Sequence, residues 1–143
     1  MRIRICWQGK TKNPNLRALT DEYFRRLQPF ADVQIDQIPN RSRKAAARSG
    51  GRNSSRKKDK SSFKVYLDGR GKQYSSEELA RWMEKQALQG TREICFFLGG
   101  PEGFSESDLE KADLRLSLSR MTFTHDWARA LLLEQIYRGF TIL

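Results

Sequence analysis

The chain reads as an α/β domain, a mostly parallel sheet flanked by helices, and three observations predict it. Segments that alternate polar and apolar residues take turns with segments whose apolar residues recur at helical spacing, the order expected of β-α-β units. The run Ile94-Cys95-Phe96-Phe97-Leu98 is apolar throughout, as a central strand covered on both faces by helices would be. Strand-like runs also end in loops that let backbone approach a ligand. Gly99-Gly100-Pro101-Glu102-Gly103 follows the central run, and small hydroxyls alternate with apolar side chains from Leu116 to His125.

The elements follow in order. Arg2-Ile3-Arg4-Ile5-Cys6-Trp7 alternates and suits a strand with one buried face. Asn13-Pro14 reads as an N-cap and a first helical residue, and Leu16, Leu19, Tyr23 and Leu27 then share one helical face. Val33 to Ile38 alternates again and stops at Pro39, because proline cannot donate to a ladder. Phe63 to Leu67 is expected as a third strand, closed by a turn at Asp68-Gly69-Arg70-Gly71. Ser75 and Glu78 form a capping box for a helix that ends at Gly90, with Leu79, Trp82, Met83 and Ala87 on its inner face. Ser105 and Asp108 cap another helix, and Leu114 to Leu118 alternates as a fifth strand. A last helix from about Asp126 carries Trp127, Ala130, Leu131, Leu132 and Ile136, with apolar residues on more than one face. No repeat or domain boundary is visible, and 143 residues suit a single domain, 1–143.

Charge is concentrated in one place. Of the net +10, residues 41–62 hold nine Lys or Arg against Asp59 alone, a local +8 that leaves +2 for the rest. A clustered patch is the footprint expected of phosphate binding, and a solvated flexible loop is the plainer alternative. Cys6 and Cys95 fall in apolar strand patterns and are expected to be buried and reduced. With two cysteines and one histidine, no zinc-type ligand set can be assembled. No apolar run is long enough to span a membrane and no secretory signal opens the chain, so a cytoplasmic protein is expected.

Other ligand motifs are missing. Gly99-Gly100-Pro101 has neither the G-x-G-x-x-G spacing of a dinucleotide fold nor the G-K-[ST] ending of a P-loop, and no G-x-S-x-G elbow surrounds Ser117 or Ser119. Taken singly, Gly99 is more readily a turn residue, and Leu118 and Phe123 are more readily core.

Several segments together resemble one family. They are Ile3-Arg4-Ile5, Tyr23 to Leu27, Ile38-Pro39, Leu67-Asp68-Gly69-Arg70-Gly71, Leu98 to Gly103, Leu118 to Phe123 with His125, and Leu133-Glu134-Gln135-Ile136-Tyr137-Arg138. In this order the chain resembles the SPOUT-class RNA methyltransferases with a deep C-terminal trefoil knot, and within them the RlmH type, which methylates N3 of a pseudouridine in large-subunit ribosomal RNA. The resemblance implies an α/β knot, S-adenosylmethionine as cofactor, a homodimer in which two subunits complete each site, and ribosomal RNA in the assembled ribosome as partner. Position by position it places cofactor contacts on Leu67, Gly99, Leu118, Ser119, Arg120, Met121, Thr122 and Phe123. His125, Glu134 and Arg138 become the catalytic candidates, with Tyr137 on the shared subunit surface. The chain departs from the pattern in two places: the basic stretch replaces an amphipathic helix, and the polar Tyr-His tail of the family does not follow Thr141-Ile142-Leu143. Weak turnover without that tail is therefore expected. The alternatives are a knotted methyltransferase acting on another RNA, or a non-catalytic protein that binds RNA or the ribosome.

Overall fold

A computed structural model describes residues 1–39 and 62–143, so all of the basic segment except Ser62 lies outside the described residues. Nine elements follow one another: β1 (Arg2–Gln8), α1 (Pro14–Leu27), β2 (Asp32–Ile38), β3 (Ser62–Gln73), α2 (Ser76–Leu88), β4 (Glu93–Phe97), α3 (Glu106–Glu110), β5 (Leu114–Ser117) and α4 (His125–Ile142). The five strands form one sheet in the order β2-β1-β4-β3-β5, and every neighbouring pair is parallel. That is the α/β architecture expected from the alternation of periods.

Local chemistry sets the helix ends. The Asn13 side chain accepts from the backbone N–H groups of Asn15 and Leu16, with Pro14 just inside the helix. Ser75 with Glu78 and Ser105 with Asp108 each form a complete capping box. Gly90, just beyond α2, takes φ +84°, where a side chain would be strained.

Alternate residues of the strands point to one face, where Ile3, Ile5, Val33, Val65, Ile94, Phe96 and Leu116 meet Leu27 of α1, Leu79 and Met83 of α2, and Leu132, Leu133 and Ile136 of α4. α4 packs against both α1 and α2. This face buries the core. The other face has Cys95 and Phe97 as the outward residues of β4, with Cys95 buried. It carries Tyr66 stacked on Phe97 and edge-on to Phe104 at one end, and the ion pairs of Arg2 and Arg4 with Asp32, Asp36 and Glu93 at the other. Ala87 is exposed, and Ala80 and Gln86 take the inward positions of α2 beside Leu79 and Met83. Leu132 is wholly buried, so it belongs to the core and not to an outward apolar face.

Asp68-Gly69-Arg70-Gly71 does not close β3. The strand continues to Gln73, and Leu116 of β5 lies opposite both Leu67 and Lys72, so the glycine segment is an excursion within the strand. Gly71 sits where a Cβ would stand 2.6 Å from the carbonyl carbon of Arg115, which explains the glycine by close backbone approach.

Cys6 and Cys95 are free and buried. Burial, reinforced by Asp36, pushes the Cys6 thiol up to about 12, and burial with a hydrogen bond to Glu93 pushes Cys95 up to about 11. Both thiols therefore stay protonated in the fold after they would ionise in the unfolded chain. Their contribution is complete below about pH 9 and is lost as pH rises through about 11 to 12. Native protein at pH 8 is expected to resist iodoacetamide and to take up two labels only in denaturant, as mass spectrometry will read.

Candidate cofactor and substrate site

The residues picked out for the cofactor come together at one edge of the sheet. Leu67 lies at the start of the β3 excursion, Gly99 just beyond β4, and Leu118 to Phe123 just beyond β5, and these three strands are adjacent. Parallel strands in register place their following loops side by side. Two contacts fasten them. The Ser117 hydroxyl reaches the Gly69 carbonyl at 3.2 Å and the Ser119 carbonyl at 2.9 Å, and the Met121 N–H donates to the Ser119 hydroxyl at 3.0 Å. In the β4 loop the Gly103 N–H donates to the Gly100 carbonyl, and Gly103 takes φ +70°. A Cβ on Gly99 would stand 3.1 Å from Gly103 Cα, so this turn closes tightly only around glycine.

Within the loop after β5, Leu118 packs partly against the core, whereas Met121 is 76% exposed and Phe123 40% exposed. Arg120 and Thr122 also face outward, and Ser119 is half-buried. The loop presents apolar side chains and backbone to the outside, the material from which a site for a flat heteroaromatic ring is made.

The catalytic candidates are not brought together within one chain. His125 opens α4, with Nε2 3.8 Å from Asp126 Oδ1. Glu134 and Arg138 lie about two and a half and about three and a half turns on, about 14 Å and about 20 Å further along the axis and close to the opposite side of the helix. They pair with each other at 3.5 Å, and Glu134 also accepts from the Gln135 amide. Tyr137 packs inward against Tyr23 and Phe30 of the same chain.

Sequence reasoning missed the most buried polar cluster. Arg129 is 1% exposed, and its guanidinium donates to the Thr11 hydroxyl at 3.1 Å and the Gln8 carbonyl at 2.6 Å while lying 4.9 Å from the centre of the Trp7 ring. Asp126, also buried, accepts from the N–H groups of Lys12 and Asn13, each at 3.0 Å, and its other oxygen is 3.7 Å from Arg129. Burial lowers the Arg129 pKa and Asp126 opposes that shift, so the two charges are kept together. This pair ties the β1–α1 loop to the start of α4, directly after the candidate cofactor loop. The available signal was a single cation in the otherwise apolar run Trp127-Ala128-Arg129-Ala130-Leu131-Leu132-Leu133. Among the described residues no three His, Cys, Asp or Glu side chains cluster to hold a metal ion, and no helix is long and apolar enough to cross a membrane.

An all-parallel α/β sheet with loops leaving the carboxyl ends of three neighbouring strands has the architecture in which α/β proteins commonly bind ligands, and those loops are the candidate site. More narrowly, the chain belongs to the SPOUT methyltransferase family: the family described as "Predicted SPOUT methyltransferase" matches residues 1–143. Among similar curated proteins, the ribosomal RNA large subunit methyltransferase H of Geotalea daltonii is 43% identical, over 100% of this chain and 95% of its own length. The protein of the same name from Desulfotalea psychrophila is 40% identical, over 99% of this chain and 95% of its own. Among solved structures, a probable methylase family protein from Haemophilus influenzae superposes with a TM-score of 0.59 at 15% identity. That match covers 98% of this chain and 65% of the other, and it speaks for the fold alone.

Proposed function

We propose that this chain is an S-adenosylmethionine-dependent methyltransferase of large-subunit ribosomal RNA, acting on N3 of a pseudouridine. The observation that carries the reading is the convergence of Leu67, Gly99 and the loop from Leu118 to Phe123 at one sheet edge, in a chain at 43% identity to a relative named for this activity. The residues fit the cofactor. Gly99 closes its turn against Gly103, where a side chain would disturb the loop, Leu118, Met121 and Phe123 supply apolar cover, and the backbone from Ser119 to Thr122 can read a purine edge.

When bound, S-adenosylmethionine supplies an electrophilic methyl group on a sulfonium. The protein's own task is then to hold a nucleophile in line and to take a proton from the ring nitrogen. His125 and Glu134 are the acceptors at hand, and Arg138 suits a phosphate. Because His125 and Glu134 sit about 14 Å apart along α4, their use in one site calls for two chains. The exposed apolar residues Met121, Phe123 and Trp127 near the start of α4 support such a homodimer. The path from β5, at the sheet edge, back to α4 between α1 and α2 supports a C-terminal knot. Cytoplasmic action on ribosomes and phosphate contacts by the basic segment 41–62 complete the proposal.

Calorimetry tests it. Wild-type protein is expected to bind S-adenosylmethionine stoichiometrically, and Gly99→Val to weaken binding at least 100-fold while the far-ultraviolet circular dichroism stays native. Labelled methyl groups are expected in ribosomes that lack the modification, located by nuclease digestion and mass spectrometry. A wild-type chain that binds neither the cofactor nor its demethylated product would end this reading.

A further inference from the structure

We infer that a cavity of about 560 Å³ between β1, β2 and α1 binds one unpaired ribonucleotide of the RNA strand, next to the one that is methylated. This rests on the RNA methyltransferase reading above. The cavity is apart from the candidate cofactor loops: it opens at the carboxyl ends of β1 and β2, on the far side of β4 from β3 and β5. Its size suits a nucleotide, since small-molecule sites commonly span roughly 300 to 1,000 Å³.

Its walls divide by chemistry. Phe24 and Ile35, both half-buried, make an apolar side against which a base can lie. Lys10 stands at the rim as a cation for a phosphate, and Gln37 and Asp21 offer donor and acceptor groups of the kind that read a base edge. At the floor is Trp7, 2% exposed, whose indole N–H is buried without a hydrogen-bond partner.

The cavity is also a built feature. Arg17 donates twice to the Thr11 carbonyl, at 3.2 and 2.8 Å, and Thr11 in turn accepts from buried Arg129. Lys12 and Asn13 donate to Asp126. The lip from Lys10 to Asn13 is therefore clamped to the first turn of α4, where His125 stands beside Asp126. A nucleotide held here lies beside a lip that is fastened next to His125, one of the candidate catalytic residues, as a neighbour of the target nucleotide should. A concave pocket admits only a base that is out of the helical stack, which makes the ligand unpaired.

The test uses the full chain, labelled with ¹⁵N, titrated with uridine 5′-monophosphate, a single-stranded oligouridylate 12-mer, and a duplex of equal length. The expected amide shifts fall on Lys10, Thr11 and Gln37, with the 12-mer binding at least tenfold more tightly than the monophosphate or the duplex. Lys10→Ala and Gln37→Ala are each expected to weaken the 12-mer at least fivefold. Lys85→Ala, which removes the same charge from the exposed end of α2, is expected to change it less than twofold. Shifts confined to other surfaces, or equal effects of Lys10→Ala and Lys85→Ala, overturn the site. A monophosphate as tight as the 12-mer, or a duplex as tight, overturns the assignment to an unpaired nucleotide within a strand. S-adenosylmethionine titrated in parallel separates the two readings. Its failure to bind, with the 12-mer still in this cavity, removes the methyltransferase reading and upholds the ribonucleotide site.

Discussion

Replacing Arg129 by methionine is expected to lower stability by about 3 to 5 kcal/mol, the usual cost of removing one partner from a buried ion pair. The reason is what remains behind. Asp126 keeps its charge in a buried position beside the Lys12 and Asn13 N–H groups and the His125 ring, without its guanidinium partner, and the Gln8 carbonyl and Thr11 hydroxyl lose their donor. For a domain of this size that corresponds to a fall of about 10 °C in Tm. Urea denaturation at unchanged m-value is the measurement, and it has an internal control. Asp126→Leu combined with Arg129→Met removes both charges together, so the double variant is expected to be more stable than Arg129→Met alone. A single variant within about 1 kcal/mol of wild type would mean that the cluster is well hydrated and contributes little.

Gly71→Val is expected to cost about 3 kcal/mol or more, because the obstacle is backbone. The added Cβ would stand 2.6 Å from both the carbonyl carbon and oxygen of Arg115 and 2.9 Å from the Leu116 nitrogen, none of which can rotate aside. β5 must then part from β3, and the loop from Leu118 to Phe123 loses its anchor. Two other glycines calibrate the effect. Gly69→Ala meets nothing within 4 Å and is expected to be close to neutral. Gly139→Ala meets the Met83 methyl at 2.7 Å, the far end of a flexible side chain, and is expected to cost under about 1 kcal/mol. Thermal melts of the three variants should therefore rank Gly71→Val far below the others, and equal melting temperatures would contradict the strand geometry described here.

These two positions also show where sequence reading succeeds and where it stops. Capping at Asn13, Ser75 and Ser105 depends on groups three residues apart or fewer, so it was legible and is found in place. The alternation of Ile3, Ile5 and Trp7 likewise identified a buried face. The Gly69–Gly71 excursion was read as a turn because its cause is the Arg115 carbonyl, more than 40 residues away and invisible to any local window. Ala87 was placed inward by spacing and proves exposed, since α2 rolls so that Ala80 and Gln86 face the core. In the candidate site, adjacency of the loops at Leu67, Gly99 and Leu118 came from the resemblance and is matched by the strand order. The separation of His125 from Glu134 along α4 was computable from 1.5 Å of rise per residue. Arg129 was passed over because a cation on a helix is ordinarily solvated, and only tertiary packing tells that this one is not.

The clamp between Asp126 and the β1–α1 loop has a consequence for the order in which the protein matures. Its hydrogen bonds to Lys12 and Asn13 span 114 and 113 residues, and α4 must also settle between α1 and α2, which are complete long before it is synthesised. Contacts of such long range close late and slowly, because the loop entropy must be met before any of them forms. A nascent chain halted before α4 thus carries an unfilled core seam where Leu132, Leu133 and Ile136 belong and a Gln8–Asn13 segment without its contacts to Asp126 and Arg129. The candidate residues His125, Glu134 and Arg138 lie on α4 itself, so they and the anchored N-terminal lip are put in place in the same event.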